Sequence, residues 1–165
     1  MDAAAGSGIW RALLEADPEL RPTGLGARDS LRLEVGYILY GNDLDIKHTP
    51  LEAGLGWVVK LDKEFVGREA LARQKAEGLR QRLVGFRLKE RGFPRHGYEL
   101  RANGEPAGEV TSGILSPSLD AGIGLGYVAK DSSKAGSEIE VMVRNRAIPA
   151  EVVRPPFYTE GSVKR

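Results

Sequence analysis

Arg28 has the surroundings most suited to chemistry. It follows Gly24 and Gly26 at the start of a short predicted helix, where free backbone N–H groups and a guanidinium can converge on an anion. A surface pair of Arg28 with Asp29 or Glu34 explains the same residues equally well. Trp57, flanked by glycines, offers a stacking wall for a flat ligand, although a Trp in such a segment more often belongs to a core. His96 with Ser112 or Ser116 and Asp120 has the residue types of a hydrolase triad. No Gly-x-Ser-x-Gly elbow surrounds either serine, and polar loop residues are the better reading. Gly122-Ile-Gly-Leu-Gly126 offers glycines for a phosphate loop, but the third glycine comes too early for the dinucleotide fingerprint and a strand follows where a helix should. Asp43, Asp45 and His48 could hold a cation, and a solvated turn accounts for them more simply. The arginines from Arg80 to Arg95 alternate with apolar strand positions and read as a solvated face.

Composition narrows the chemistry further. Lys plus Arg number 24 against 23 Asp plus Glu, a net charge of +1 that gives no reason to expect nucleic acid or a membrane surface as partner. With no cysteine, disulfides, thiolate metal sites and a thiol nucleophile are excluded, and two histidines make a His-rich metal centre a poor expectation. No apolar run approaches the roughly 20 residues of a membrane helix. The opening Met1-Asp2-Ala3 lacks the basic and apolar regions of a signal peptide, so the cytoplasm is the expected compartment.

These candidates need elements to hold them. Ile9, Trp10, Leu13 and Leu14 lie on one side of a predicted helix over 9–16, closed by Asp17-Pro18. Residues 27–36 form a second short helix stopped at Gly36, Val58-Val59 a buried strand, and residues 65–77 a helix ending at Gly78. Beyond Gly78 the period falls to two. Val84, Phe86 and Leu88 alternate with more polar or smaller residues; Asn103-Gly104 marks a hairpin; Ile139, Val141 and Val143 run out, and Ile148, Ala150 and Val152 run back. The expectation is an α+β chain. Residues 1–79 form an incomplete α+β piece, short of strands for a sheet of its own, and residues 80–165 form a small antiparallel β-barrel.

The motifs Gly24-Leu-Gly-Ala-Arg-Asp-Ser-Leu-Arg-Leu-Glu34, Tyr40-Gly-Asn-Asp43, Thr49-Pro-Leu-Glu52, Phe65-Val-Gly-Arg-Glu-Ala-Leu71, Val110-Thr-Ser-Gly113, Ser116-Pro-Ser-Leu119 and Gly126-Tyr-Val128 follow one another up to Pro156-Phe157. In this order the chain resembles the glycine cleavage system T-protein family, the aminomethyltransferases, in their C-terminal half. The resemblance implies a tetrahydrofolate-dependent transferase. Such enzymes take the aminomethyl group from the lipoyl arm of the H protein, release ammonia and form 5,10-methylenetetrahydrofolate. They have three domains in a clover-leaf, with folate in the central opening. The family's catalytic aspartate and its pterin-holding glutamate belong to the N-terminal half, so no residue here takes either role. The resemblance makes Arg28 a folate contact, places Trp57 and Tyr37 on the wall of the folate opening, and puts a further substrate contact near Ser162. The implied partners are the H protein and the N-terminal half of the enzyme. Dimethylglycine and sarcosine dehydrogenases share the architecture but carry a flavin domain, and the iron–sulfur assembly relatives carry a cysteine that is absent here. A non-catalytic folate-binding or assembly module is the alternative.

Overall fold

A computed structural model describes residues 2–161. Three helices precede a barrel: α1 (Gly6–Ala16), α2 (Leu25–Glu34) and α3 (Arg68–Glu77). Six strands follow: β1 (Gln81–Leu88), β2 (Glu99–Ala102), β3 (Glu105–Ser116), β4 (Ala121–Ala129), β5 (Glu138–Val143) and β6 (Arg146–Val153). They close in the order β1-β4-β3-β2-β5-β6, and β6 returns to pair with β1. Every pairing is antiparallel, so the barrel has no free edge. Asn103 and Gly104 both take positive φ, the conformation of a two-residue hairpin turn, and link β2 to β3.

Alternation sorts the strand residues. Val84, Phe86 and Leu88 of β1 meet Leu100, Val110, Ile139, Val141, Ile148, Ala150 and Val152 inside the barrel. Strand β4 is buried on both faces. Val128 points into the barrel core, whereas Ile123 and Leu125 point outward and pack with Leu33 of α2. Phe86 leaves room for nothing but glycine opposite it: a Cβ on Gly124 would sit 2.3 Å from its ring edge. The closely spaced glycines of β4 are therefore packing residues, and the phosphate-loop reading of 122–126 does not hold.

The expected helices form, with shifted ends. Helix α3 begins at Arg68 because Gly67 takes φ +90°, and it stops at Gly78, also at positive φ. The predicted Val58-Val59 strand is absent. Their N–H groups bond back to Leu55 and Gly56 in successive turns, and Val58 is exposed. Trp57 is 74% exposed, so the core reading of that residue fails as well. Among the described residues no helix is long and apolar enough to cross a membrane.

Candidate functional site

Helix α2 carries Arg28, and polar bonds seat this helix on the outside of the barrel. Arg32 uses its whole guanidinium. Nε donates to Asp29 at 2.7 Å, Nη1 to Asp43 at 2.9 Å and to the Tyr37 carbonyl at 3.2 Å, and Nη2 to the Ser112 hydroxyl at 2.9 Å. Asp43 is fully buried; it also accepts the Leu39 N–H at 2.8 Å and the Thr111 hydroxyl. The Tyr127 hydroxyl donates to the Asp43 carbonyl at 3.0 Å, and its ring stacks on His48 with centroids 3.9 Å apart. One carboxylate thus joins the helix, the 37–43 turn and strand β3. A buried charge of this kind persists only when its lone pairs are filled, as they are here.

Glu34 forms a second clamp. Its carboxylate accepts the hydroxyls of Ser116 and Ser118 and the Ser118 N–H at 3.1 Å, while its carbonyl accepts the N–H groups of Phe157 and Tyr158 at 2.9 and 3.0 Å. Burial alone would raise the Glu34 carboxyl, but these donors outweigh it and hold the group below its ordinary range. Glu52 repeats the pattern further along. It accepts the Thr49 N–H and hydroxyl at 2.9 and 3.0 Å and Gln81 at 3.3 Å, and its pKa is lowered despite burial. Burial first, and then the carboxylates of Glu52, Asp45 and Asp43, push the Tyr127 phenol upward, so it stays a neutral donor.

Arg28 lies one turn before Arg32 and has none of this. It is exposed, and its guanidinium has no ion-pair or hydrogen-bond partner among the described residues. Neither proposed surface pair forms, because Asp29 is taken by Arg32 and Glu34 by the two serines. Gly24 precedes α2 and offers no capping side chain, so the helix's first-turn N–H groups add positive potential beside Arg28. A cleft of about 540 Å³ between α2 and residues 93–96 takes Gly26, Asp29 and Ser30 as one wall. Arg28 is not part of that wall. Tyr37 and Trp57 are also exposed, at 64% and 74%, and no hydrogen bond or ring contact joins either to Arg28 among the described residues. Ser162 lies outside the described residues.

The other candidates resolve into structural roles. His96 donates from Nδ1 to the Thr111 carbonyl at 2.8 Å, and Ser116 donates to Glu34, so no triad exists. Asp43 is not part of a solvated turn, because its carboxylate turns inward; His48 instead pairs with Asp45 at 2.7 Å. Sequence reasoning missed the roles of Arg32 and Glu34 and of the Ser112, Ser116 and Ser118 hydroxyls that pair with them, of Thr111 on Asp43, and of Glu52 with Thr49 and Gln81. The available signal was a run of hydroxyl side chains along β3, next to one of the few helices that could bury its polar face against them.

Residues 81–159 match the glycine cleavage T-protein C-terminal barrel domain, and residues 1–63 match the GCVT N-terminal domain. The fold and the seated helix thus define a barrel of the aminomethyltransferase class. The aminomethyltransferase of Halothermothrix orenii is 58% identical over 152 residues, 90% of this chain and 43% of the relative. That of Bacteroides thetaiotaomicron is 53% identical over 158 residues, 93% of this chain and 44% of the relative. The crystal structure of the glycine cleavage system aminomethyltransferase T from Bartonella henselae superposes with a TM-score of 0.85 at 34% identity, covering 94% of this chain and 44% of that one. The chain belongs to the glycine cleavage T-protein family, and it spans less than half the length of the relatives it matches.

Proposed function

We propose that the chain supplies the folate-facing C-terminal part of an aminomethyltransferase. In this reading the complete protein moves the one-carbon unit from the aminomethyl-lipoyl group of an H protein to tetrahydrofolate, giving 5,10-methylenetetrahydrofolate and ammonia, in the cytoplasm. The observation that carries the reading is Arg28: a solvent-facing guanidinium without a partner, at an uncapped helix start, on a helix held rigidly by its neighbours. Folate presents a flat, polar ring system and a carboxylate tail. A guanidinium offers it a planar fork of donors, and the exposed Trp57 and Tyr37 offer aromatic area at little rotamer cost.

The chain's buried carboxylates are committed to the fold. Release of ammonia requires an acid or base placed against the substrate nitrogen. Glu34, Asp43 and Glu52, the buried carboxylates, already accept three or more donors each, which supports a reading in which the reacting carboxylate belongs to the family's N-terminal half. Ammonia release from aminomethylated H protein and tetrahydrofolate tests this directly. The 165-residue chain by itself is expected to show no turnover, and adding the family's N-terminal half is expected to restore it. Full turnover by the chain alone overturns the proposal. Folate binding that never leads to turnover in the assembled protein favours a non-catalytic folate module instead. A charge-assisted hydrogen bond is worth roughly 1.5–3 kcal/mol, so Arg28→Ala in the assembled protein should weaken tetrahydrofolate binding about 10- to 150-fold. Arg28→Lys should recover only part of the loss, because a point charge does not reproduce the fork.

A further inference from the structure

The turn between β2 and β3 carries a reactive pair that the fold leaves unengaged. Asn103 and Gly104 are both exposed, and Ala102 pairs with Glu105 across them. Among the described residues the Asn103 carboxamide has no hydrogen-bond partner, and neither has the Gly104 N–H. A Cβ built on Gly104 would meet nothing within 4 Å, so the space beside its nitrogen is open. A backbone nitrogen that follows an asparagine can close on the side-chain carbonyl carbon, an intramolecular attack that needs no encounter with a second molecule.

The chain has three asparagines, and the fold treats them differently. After Asn42 the next nitrogen is that of Asp43, which is fully buried and donates its N–H to the Leu39 carbonyl at 2.8 Å. After Asn145 it is that of Arg146, a β6 residue that pairs with Val143 and carries a long side chain. Of the three, Asn103 alone is followed by a nitrogen with no side chain beside it and no hydrogen bond to break.

We propose that Asn103–Gly104 is a self-modification site, where the chain converts its own asparagine into aspartate and isoaspartate with water as the one co-reactant. The Gly104 nitrogen attacks Cγ of Asn103. The new N–Cγ bond forms, the Cγ–Nδ2 bond breaks, and the proton lost by Gly104 leaves with Nδ2 as ammonia. Water then opens the succinimide ring. Cleavage of the new bond leaves aspartate; cleavage of the original peptide bond leaves isoaspartate, whose main chain runs through Cβ and Cγ. Either product puts a carboxylate on the wall of a cleft of about 360 Å³ that Asn103 shares with Lys89, Glu138 and Glu140. Isoaspartate also lengthens the main chain by a carbon, inside a turn whose length fixes the pairing of Ala102 with Glu105 and of Arg101 with Pro106.

The test is incubation of the full chain in mildly alkaline buffer, followed by peptide mapping with mass spectrometry. The peptide that spans Asn103 should gain about 1 Da and resolve into an aspartate and an isoaspartate form. The same chain unfolded in guanidinium chloride, incubated until it converts, gives the reference rate at each asparagine. Folding should slow conversion at Asn103 by less than about tenfold, and should slow it far more at Asn42, which waits for its buried neighbour to open. Asn103→Gly keeps a turn that tolerates positive φ and should abolish the mass gain at that peptide, with barrel melting unchanged. In the isoaspartate fraction, amide exchange at Ala102 and Glu105 should rise about tenfold over the unconverted chain. Three results overturn the proposal. One is slowing at Asn103 by more than about tenfold on folding, or as much as at Asn42. Another is an aspartate product with no isoaspartate, which means direct attack by water without the Gly104 nitrogen. The third is a mass gain at that peptide that persists in Asn103→Gly.

Discussion

The barrel and the segment that precedes it are held together by opposite means. Within β1–β6 the stabilising contacts are apolar and interlocked: among the described residues sixteen hydrophobic side chains are buried, and all but Leu33 and Ala53 lie in the strands. Residues 25–52 bury instead three carboxylates and most of an arginine, each filled by donors reaching across from β3, β1 or a local turn. An apolar core is tolerant of detail and generates stability by area. A buried polar seam is demanding of geometry, and it fixes one arrangement of α2 against β3. The fold thus makes a robust platform and attaches to it, by direction-sensitive bonds, the helix whose orientation matters.

Asp43→Ala should produce the largest effect. It leaves Arg32 with Asp29 as its one carboxylate, removes the buried one, and strips the Leu39 N–H and Thr111 hydroxyl of an acceptor, a loss of about 3 kcal/mol. Amide exchange in this variant should rise across residues 25–52 while the barrel strands stay protected; loss of protection everywhere would mean that the two regions are one cooperative unit. Gly124→Ala attacks the other side of the comparison. Its Cβ collides with the Phe86 ring and with the Ser112 carbonyl 2.7 Å away, an overpacking cost of about 1–3 kcal/mol felt as a fall in barrel melting temperature. Phe86→Leu in the same chain should recover part of it, because the ring yields but the backbone carbonyl does not.

Acid should loosen the seam before it affects the core. Glu34 and Glu52 have folded-state pKa values below the ordinary 4.5, so they stabilise the native state above that pH. Their contribution disappears as pH falls through 4.5 toward the lower folded values, since protonation then weakens the bonds from Ser116, Ser118 and Thr49. Unfolding free energy measured between pH 7 and pH 3 should fall accordingly, and Glu34→Gln should flatten part of that slope. The smallest effect on stability belongs to Arg28→Ala. With no partner to lose, it should leave the melting temperature within experimental scatter, and a fall of several degrees would show that Arg28 serves the fold.

The barrel was legible because a half-buried strand repeats every two residues, and Val84/Phe86/Leu88, Asn103-Gly104 and Ile148/Ala150/Val152 keep that rhythm without interruption. Helices α2 and α3 were legible by their glycine stops. What escaped was burial without apolarity. Glu34 and Asp43 are among the most buried side chains of the chain, yet each looks, in sequence, like a helix end or a turn residue. The hydroxyls that seat them on the barrel, Thr111 and Ser116, sit more than sixty residues away, so no local period announces them. Trp57 misleads in the reverse sense: an indole among glycines reads as core, and here it faces outward. Val58-Val59 has strand-forming residues but no neighbouring strand to pair with, and local turns take its N–H groups. Arg28 was singled out from its glycine-rich approach, and its freedom from both candidate partners is a consequence of the seam that the sequence concealed.

The span of that seam has a consequence for biosynthesis. Asp43 emerges from the ribosome 68 residues ahead of Thr111, and Glu34 emerges 82 residues ahead of Ser116. At about 5–20 residues per second, the helix and turn wait roughly 3–16 s for the strand that completes them. During that interval an arginine and two acids of the nascent chain lack the strand hydroxyls that later receive them. The order of translation therefore sets a window in which the seam stands unfinished, and synonymous codons that slow elongation between residues 43 and 116 would widen it.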